Sequence, residues 1–147
     1  MFIGTETKSI DAKGRLVIPS KFRRNAGFDG EEGFYVTPGP GPYLMMFTSR
    51  EWNRFTSRVS RANAGSGDVF DPQRHLFPEA EFLPLDKQGR IVLPPSHLAE
   101  TELGLDVAIL GMGNHIELWN EERWQVYRKE SLSRRDPALW RSYLSPG

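Results

Sequence analysis

Two arginines carry most of the chemistry this sequence offers. Arg15 and Arg90 each follow a glycine directly and an aspartate by four residues, in Asp11-Ala12-Lys13-Gly14-Arg15 and Asp86-Lys87-Gln88-Gly89-Arg90. A tight turn accounts for much of that pattern. Gly14 and Gly89 supply a positive φ, and Asp11 and Asp86 can accept hydrogen bonds from the turn's own N–H groups. Nothing about a turn requires arginine. Two explanations stay open: the guanidinium pairs with the aspartate and locks the turn, or it projects outward, where its planar fork suits guanine or phosphate. The neighbourhoods differ. Lys8, Lys13, Arg15, Lys21, Arg23 and Arg24 face only Asp11 between residues 8 and 24, whereas residues 83–99 hold Lys87 and Arg90 against Asp86. This contrast favours contact at Arg15 and a structural role at Arg90.

Other chemistry is thin. Gly39-Pro40-Gly41 and Gly111-Met112-Gly113 lack the third glycine and the strand-to-helix context of a dinucleotide loop, and no Walker-type Gly-Lys-Ser/Thr occurs. His75, His97 and His115 are far apart with no i,i+4 pairing, so neither a metal site nor a cofactor is expected. Glu79 and Glu81 alternate before a strand, where a solvated edge explains them better than paired acid–base carboxylates. No catalytic constellation emerges, and the chain is not expected to be an enzyme.

The turns lie inside a repeat. Residues 10–19 and 85–94 share five of ten positions, and three more exchange one branched aliphatic for another. A second block is collinear: Leu44-Met45-Met46-Phe47 with Trp52 and Phe55 returns as Ile116-Glu117-Leu118-Trp119 with Trp124 and Tyr127. Two copies of one module set the architecture. An apolar strand is expected on each side of either turn, with 16–18 and 91–93 buried on both faces. Short helices over 20–26 and 96–103 follow, closed by Gly27 and Gly104. Each copy continues with a hairpin, 34–37 with 44–47 and 107–110 with 116–119.

A helix then ends each copy. Thr48 or Ser49 caps the first, with Trp52, Phe55 and Val59 on one face and Arg50, Arg54, Arg58 and Arg61 on another, a stripe read as solvated or as pairing between chains. Asn120 caps the second, with Trp124 and Tyr127 turned inward. The modules are expected at 1–61 and 79–147, joined by a Gly/Ser/Ala/Asp-rich linker at 62–78. The tail from Ser131 carries Trp140, Tyr143 and Leu144, too apolar to stay free, and is expected to dock.

Composition sets the outer limits. The 147 residues carry 19 Lys+Arg against 19 Asp+Glu, no cysteine and no stretch of 18 apolar residues. A disulfide framework and a membrane span are excluded, and a cytoplasmic protein is expected. Zero net charge argues at first against a nucleic-acid partner. The charge is unevenly placed, however: residues 1–75 hold 11 cations against 8 anions, and residues 76–147 hold 8 against 11.

Taken together, Asp-x-Lys-Gly-Arg-Leu near the start, Asp-Lys-Gln-Gly-Arg-Ile at mid-chain and the closing Gly111-to-Trp119 segment resemble the MraZ family of bacterial transcriptional regulators, part of the wider AbrB-like swapped-hairpin group. The match spans nearly the whole chain, from Phe2 and Gly4 to the Trp124 helix. It departs in the proline-rich 38–42 turn and at Ser96-His97, where a basic residue is expected.

The resemblance implies an α+β, β-rich fold of two AbrB-like modules interleaved about a pseudo-two-fold axis, and subunits assembled into rings. It implies double-stranded DNA as partner, with Arg15, Lys13 and Lys8 as contacts and Arg90 and Lys87 as the corresponding pair. The implied target is a set of short tandem repeats upstream of its own gene, heading a division and cell-wall gene cluster that it represses, which places it at the nucleoid. The alternative is an AbrB-like protein-interaction module of antitoxin or scaffold type. An antitoxin normally carries one module and a disordered tail, whereas this chain has two modules and a tail that looks foldable.

Overall fold

The computed structural model describes residues 1–62 and 71–146. Its centre is a short ribbon. Strands β1 (Thr5–Ser9) and β2 (Arg15–Val17) flank the first turn, and β5 (Glu81–Pro84) and β6 (Arg90–Val92) flank the second. β2 does not fold back on β1. It pairs antiparallel with β6, Arg15 opposite Val92, Leu16 opposite Ile91 and Val17 opposite Arg90. The ladder is extended at both ends, where Leu93 N–H donates to Gly14 O and Ile18 N–H to Gly89 O, each at 2.9 Å. Leu16 and Ile91 are counterparts in the repeat. A residue that faces its own counterpart across an antiparallel ladder marks a two-fold axis.

A larger sheet repeats the same symmetry. Hairpins β3 (Gly33–Pro38) with β4 (Tyr43–Phe47), and β7 (Asp106–Gly111) with β8 (Ile116–Asn120), join through β4 and β8, placing Met45 opposite its counterpart Glu117. The six-stranded order is β1-β7-β8-β4-β3-β5. Thus β1 of the first copy pairs with the second copy's hairpin, and β5 of the second with the first copy's. The registers match as well: Thr7 faces Ala108 as Phe82 faces Tyr35. The molecule is an α+β, β-rich pair of swapped-hairpin modules about a pseudo-two-fold axis.

The main core is shared by the two copies. One cluster takes Leu16, Ile18, Phe22, Phe34, Leu44 and Met46 from the first and Leu83, Ile91, Leu93, Ile109 and Leu118 from the second. Leu16 and Ile91 have no exposed surface. Leu16→Ala is therefore expected to destabilise the chain by about 2–5 kcal/mol, the range for truncating a close-packed aliphatic. Urea unfolding checks it, and a loss below about 1 kcal/mol would show that the axis is not the packed centre.

The helices are short except two. α1 (Ser20–Asn25) and α4 (Pro95–Thr101) follow the ribbon strands. Gly27 has the expected left-handed φ, but α4 ends on Glu102 at φ 51° instead of on Gly104. α2 (Ser49–Arg61) is capped by Thr48, whose Oγ1 accepts from Glu51 N–H at 3.4 Å. Trp52 then stacks on Tyr35 with centroids 5.1 Å apart. Its arginine stripe stays at the surface, Arg54 pairing with Glu51 at 2.8 Å. Residues 63–70 of the expected linker lie outside the described residues, and the remainder includes α3 (Pro72–Leu76), whose Leu76 is buried beside Phe47 and Trp52.

Three expectations are corrected. β1 is Thr-Glu-Thr-Lys-Ser, polar instead of apolar, because it is an edge strand with one half-covered face. The strands 16–18 and 91–93 are buried on one face only: Val17 is 38% and Val92 55% exposed. The ribbon covers the core from outside, and none of the described residues buries its outer valines. Finally, Tyr127 is not turned inward. α5 (Glu121–Ser133), capped by Asn120, seats Trp124 against Trp119 but buries no residue fully, and Tyr127 is half exposed. α6 (Pro137–Leu144) is exposed throughout.

Candidate nucleic-acid interface

The two turns are alike bond for bond. Asp11 Oδ1 accepts the N–H groups of Lys13 and Arg15, both at 2.9 Å, and its Oδ2 accepts Arg15 Nε–H at 2.5 Å. Asp86 Oδ1 accepts Gln88 and Arg90 N–H at 2.9 Å, and its Oδ2 accepts Arg90 Nε–H at 2.8 Å. Gly14 and Gly89, at φ 77° and 76°, return an N–H to the aspartate carbonyl at 3.0 Å. A Cβ at Gly14 would also press on Leu93 O at 3.1 Å, and one at Gly89 would displace the Arg23 guanidinium, 2.7 Å away.

The backbone N–H of the arginine four residues on, followed by its guanidinium, holds each aspartate below its ordinary pKa of 3.8 against the opposing effect of desolvation. The lock is therefore present at neutral pH. It is lost only as pH falls through the lowered value.

The first of the two explanations for arginine is thus observed, and it leaves room for the second. Only the Nε edge is engaged. Among the described residues neither Nη atom of Arg15 or Arg90 has a hydrogen-bond partner, so each turn holds an end-on fork with two free donor nitrogens. The fork is already oriented, so less side-chain entropy remains to be lost on binding an acceptor pair. Both arginines lie on the outer face of the ribbon, since the alternate residues Leu16 and Ile91 point into the core.

The lysines are placed less symmetrically. Lys13 and Lys87 are both exposed on their turns, but the bonds to aspartate make Gln88, not Lys87, the counterpart of Lys13. Lys87 corresponds to Ala12. Lys8 belongs to β1 in the larger sheet and is not brought onto the ribbon.

The cluster at residues 8–24 is itself divided by the swap. Arg23 donates from Nε to Ile18 O at 2.9 Å, and its guanidinium covers Gly89, on the second turn. Lys21 turns towards Gly4 and the Phe22 ring. The reason for ranking Arg90 below Arg15 therefore fails, because the second turn borrows a cation from the first copy. Arg23 was missed because linear proximity stood in for spatial proximity. The available signal was the swapped-hairpin arrangement that the resemblance implies, since swapped copies exchange flanks. In the second copy Ser96 and His97 stand where Lys21 and Phe22 stand in the first; His97 is buried, with Nε2 bonded to Glu79 O at 2.6 Å. No group of three metal-ligating side chains occurs among the described residues.

The comparison with known proteins finds the same division into two copies. The family model described as "MraZ protein, putative antitoxin-like" matches twice, over residues 1–68 and 76–143. The chain belongs to the MraZ family. Among MraZ relatives, the protein named Transcriptional regulator MraZ from Dictyoglomus turgidum is 37% identical over 130 residues, 88% of this chain and 86% of its own. Those of the same name from Ligilactobacillus salivarius and Roseiflexus castenholzii are 34% and 38% identical, over 89% and 85% of either chain. The two MraZ matches each take in one arginine turn and one hairpin, so the repeat and the family's unit coincide.

Proposed function

We propose that this chain is a sequence-specific DNA-binding transcriptional regulator, organised as repeats at 1–61 and 79–147. The observation that carries this reading is the symmetric ribbon, with a pre-oriented arginine fork at each end of its exposed face. A two-stranded ribbon has the width to enter a major groove, and arginine's fork matches the N7 and O6 acceptors of guanine. The relatives' shared name supports a regulatory role. We further propose that it represses its own division and cell-wall gene cluster from the nucleoid, as a ring on tandem repeats. Net neutrality is no obstacle to a ring, because several ribbons on one scaffold raise the effective concentration of each. The antitoxin-like description of the family keeps a protein-binding role as the second reading.

A gel shift on the DNA upstream of this gene, against unrelated duplex as competitor, tests the proposal. Retention of the upstream fragment alone is expected; equal retention of both sinks sequence specificity. In the same assay Lys13→Ala and Arg23→Ala are each expected to weaken binding to all sequences and lower the salt slope by about one for every phosphate left without its cation. An unchanged slope for both would remove these cations from the interface.

A further inference from the structure

The outer face of the ribbon holds two side chains that neither the lock nor the phosphate contacts use. Val17 lies directly opposite Arg90, and Val92 directly opposite Arg15. These are the non-hydrogen-bonded pairs of the ladder, because the inter-strand bonds fall on Gly14–Leu93 and Ile18–Gly89. In such pairs the Cβ atoms stand about 4.5–5.5 Å apart. The face is therefore a small square with arginine and valine at alternate corners, related by the axis between Leu16 and Ile91.

Strand propensity explains a β-branched residue at these corners, and single exposed apolar residues are ordinary. Threonine would satisfy that propensity at nearly the same volume while keeping the face polar, yet both copies carry valine. Each valine also stands opposite an arginine, Val92 beside Arg15 and Val17 beside Arg90, a surround that suits a polyanion and repels a basic partner.

Resting on the DNA-binding reading, we propose that Val17 and Val92 read thymine, each packing on the C5-methyl group that thymine alone of the four bases presents in the major groove. The spacing within each Arg–Val pair is one to two base-pair steps at 3.4 Å per step. Each half of the recognised site then places a thymine within two base pairs of the guanine that its arginine contacts. Specificity has two components of different kind, a polar one from the fork and an apolar one from the methyl.

The test uses the full chain and the duplex upstream of this gene, synthesised once with thymine and once with uracil throughout. Uracil keeps every hydrogen-bonding edge and lacks only the methyl. Wild type is expected to bind the uracil duplex about four-fold more weakly for each methyl contacted, the value of one buried CH₂-sized group. V17A/V92A is expected to bind both duplexes equally, at the wild-type level for uracil. The first arm needs no mutant, so a folding defect in the variant would not rescue the proposal.

Equal binding of both duplexes by wild type overturns it, as does a V17A/V92A variant that still discriminates by the full ratio. A variant that lowers the oligomer mass in light scattering also overturns it, marking the valines as a contact between copies. If wild type shifts neither duplex, the DNA-binding reading itself has failed. That outcome is distinct from binding without discrimination.

Discussion

Replacing Arg15 and Arg90 together with alanine is expected to abolish specific DNA binding while leaving the fold in place. Each bidentate contact with a base contributes about 1–3 kcal/mol, and a chain bearing two forks loses both. Non-specific retention at low salt should persist, because Lys13, Lys87 and Arg23 remain. The single variants are expected to fall within a few-fold of each other, since the turns are bonded alike and the second has Arg23 beside it. The thermal midpoint should move little. The arginines are partly exposed, and each aspartate still accepts two backbone N–H groups without them. Specific binding measured at about 150 mM salt, where non-specific binding is weak, decides the matter beside a melting curve. Unfolding of the variant with undiminished binding by its folded fraction would make the arginines turn locks and nothing more.

Ending the chain at Ser133 is expected to collapse the proposed assembly. α6 is only eight residues long, a length that is marginal for an isolated helix in water. It is started by Asp136, whose Oδ1 accepts Ala138 N–H at 3.0 Å, and every residue of it is exposed. Trp140 is 59% and Leu144 78% exposed, with Leu139, Tyr143 and, on α5, Val126 and Tyr127 also bared. On α6, residues 139, 140, 143 and 144 share one helical face, and an exposed apolar face of that kind marks an interaction site. A second copy is the expected cover, the first half being net basic and the second net acidic. Light scattering should return a multiple of 16.8 kDa for the full chain and roughly one chain's mass for the truncation. Affinity for tandem sites should drop with it by about 10²–10⁴, the range that multivalency supplies. A full chain already monomeric at micromolar concentration would refute this.

The repeat made the modules legible before any coordinates, because Asp, Gly and Arg at fixed spacing permit one kind of turn. It also made the hairpins legible, since alternation and glycine-rich breaks are local signals. The exchange of arms was not open to the residues alone: identical copies leave undetermined which copy's strand meets which, and only the family resemblance implied it. From that one ambiguity came the misplacement of Arg23. Val17 and Val92 misled for a different reason, because a three-residue apolar run looks the same whether one face or both are covered. The end of α4 was misjudged because Glu102 takes the left-handed residue's place that Gly104 would fill more easily. The site's bonding, unlike its neighbours, was available from spacing alone, down to the alternative in which aspartate holds arginine.

The axis between Leu16 and Ile91 has one more implication, which concerns heredity. In a homodimer of single modules every substitution would strike both corners of the ribbon at once. Joining the copies in one chain frees each corner to drift separately, and the drift is visible: Lys13 against Gln88, Ala12 against Lys87, Arg23 against Leu98. A reader whose two ends differ has a front and a back. On a row of short tandem sites, all pointing the same way, such a reader can follow the direction of the row, which a perfectly symmetric one could not sense.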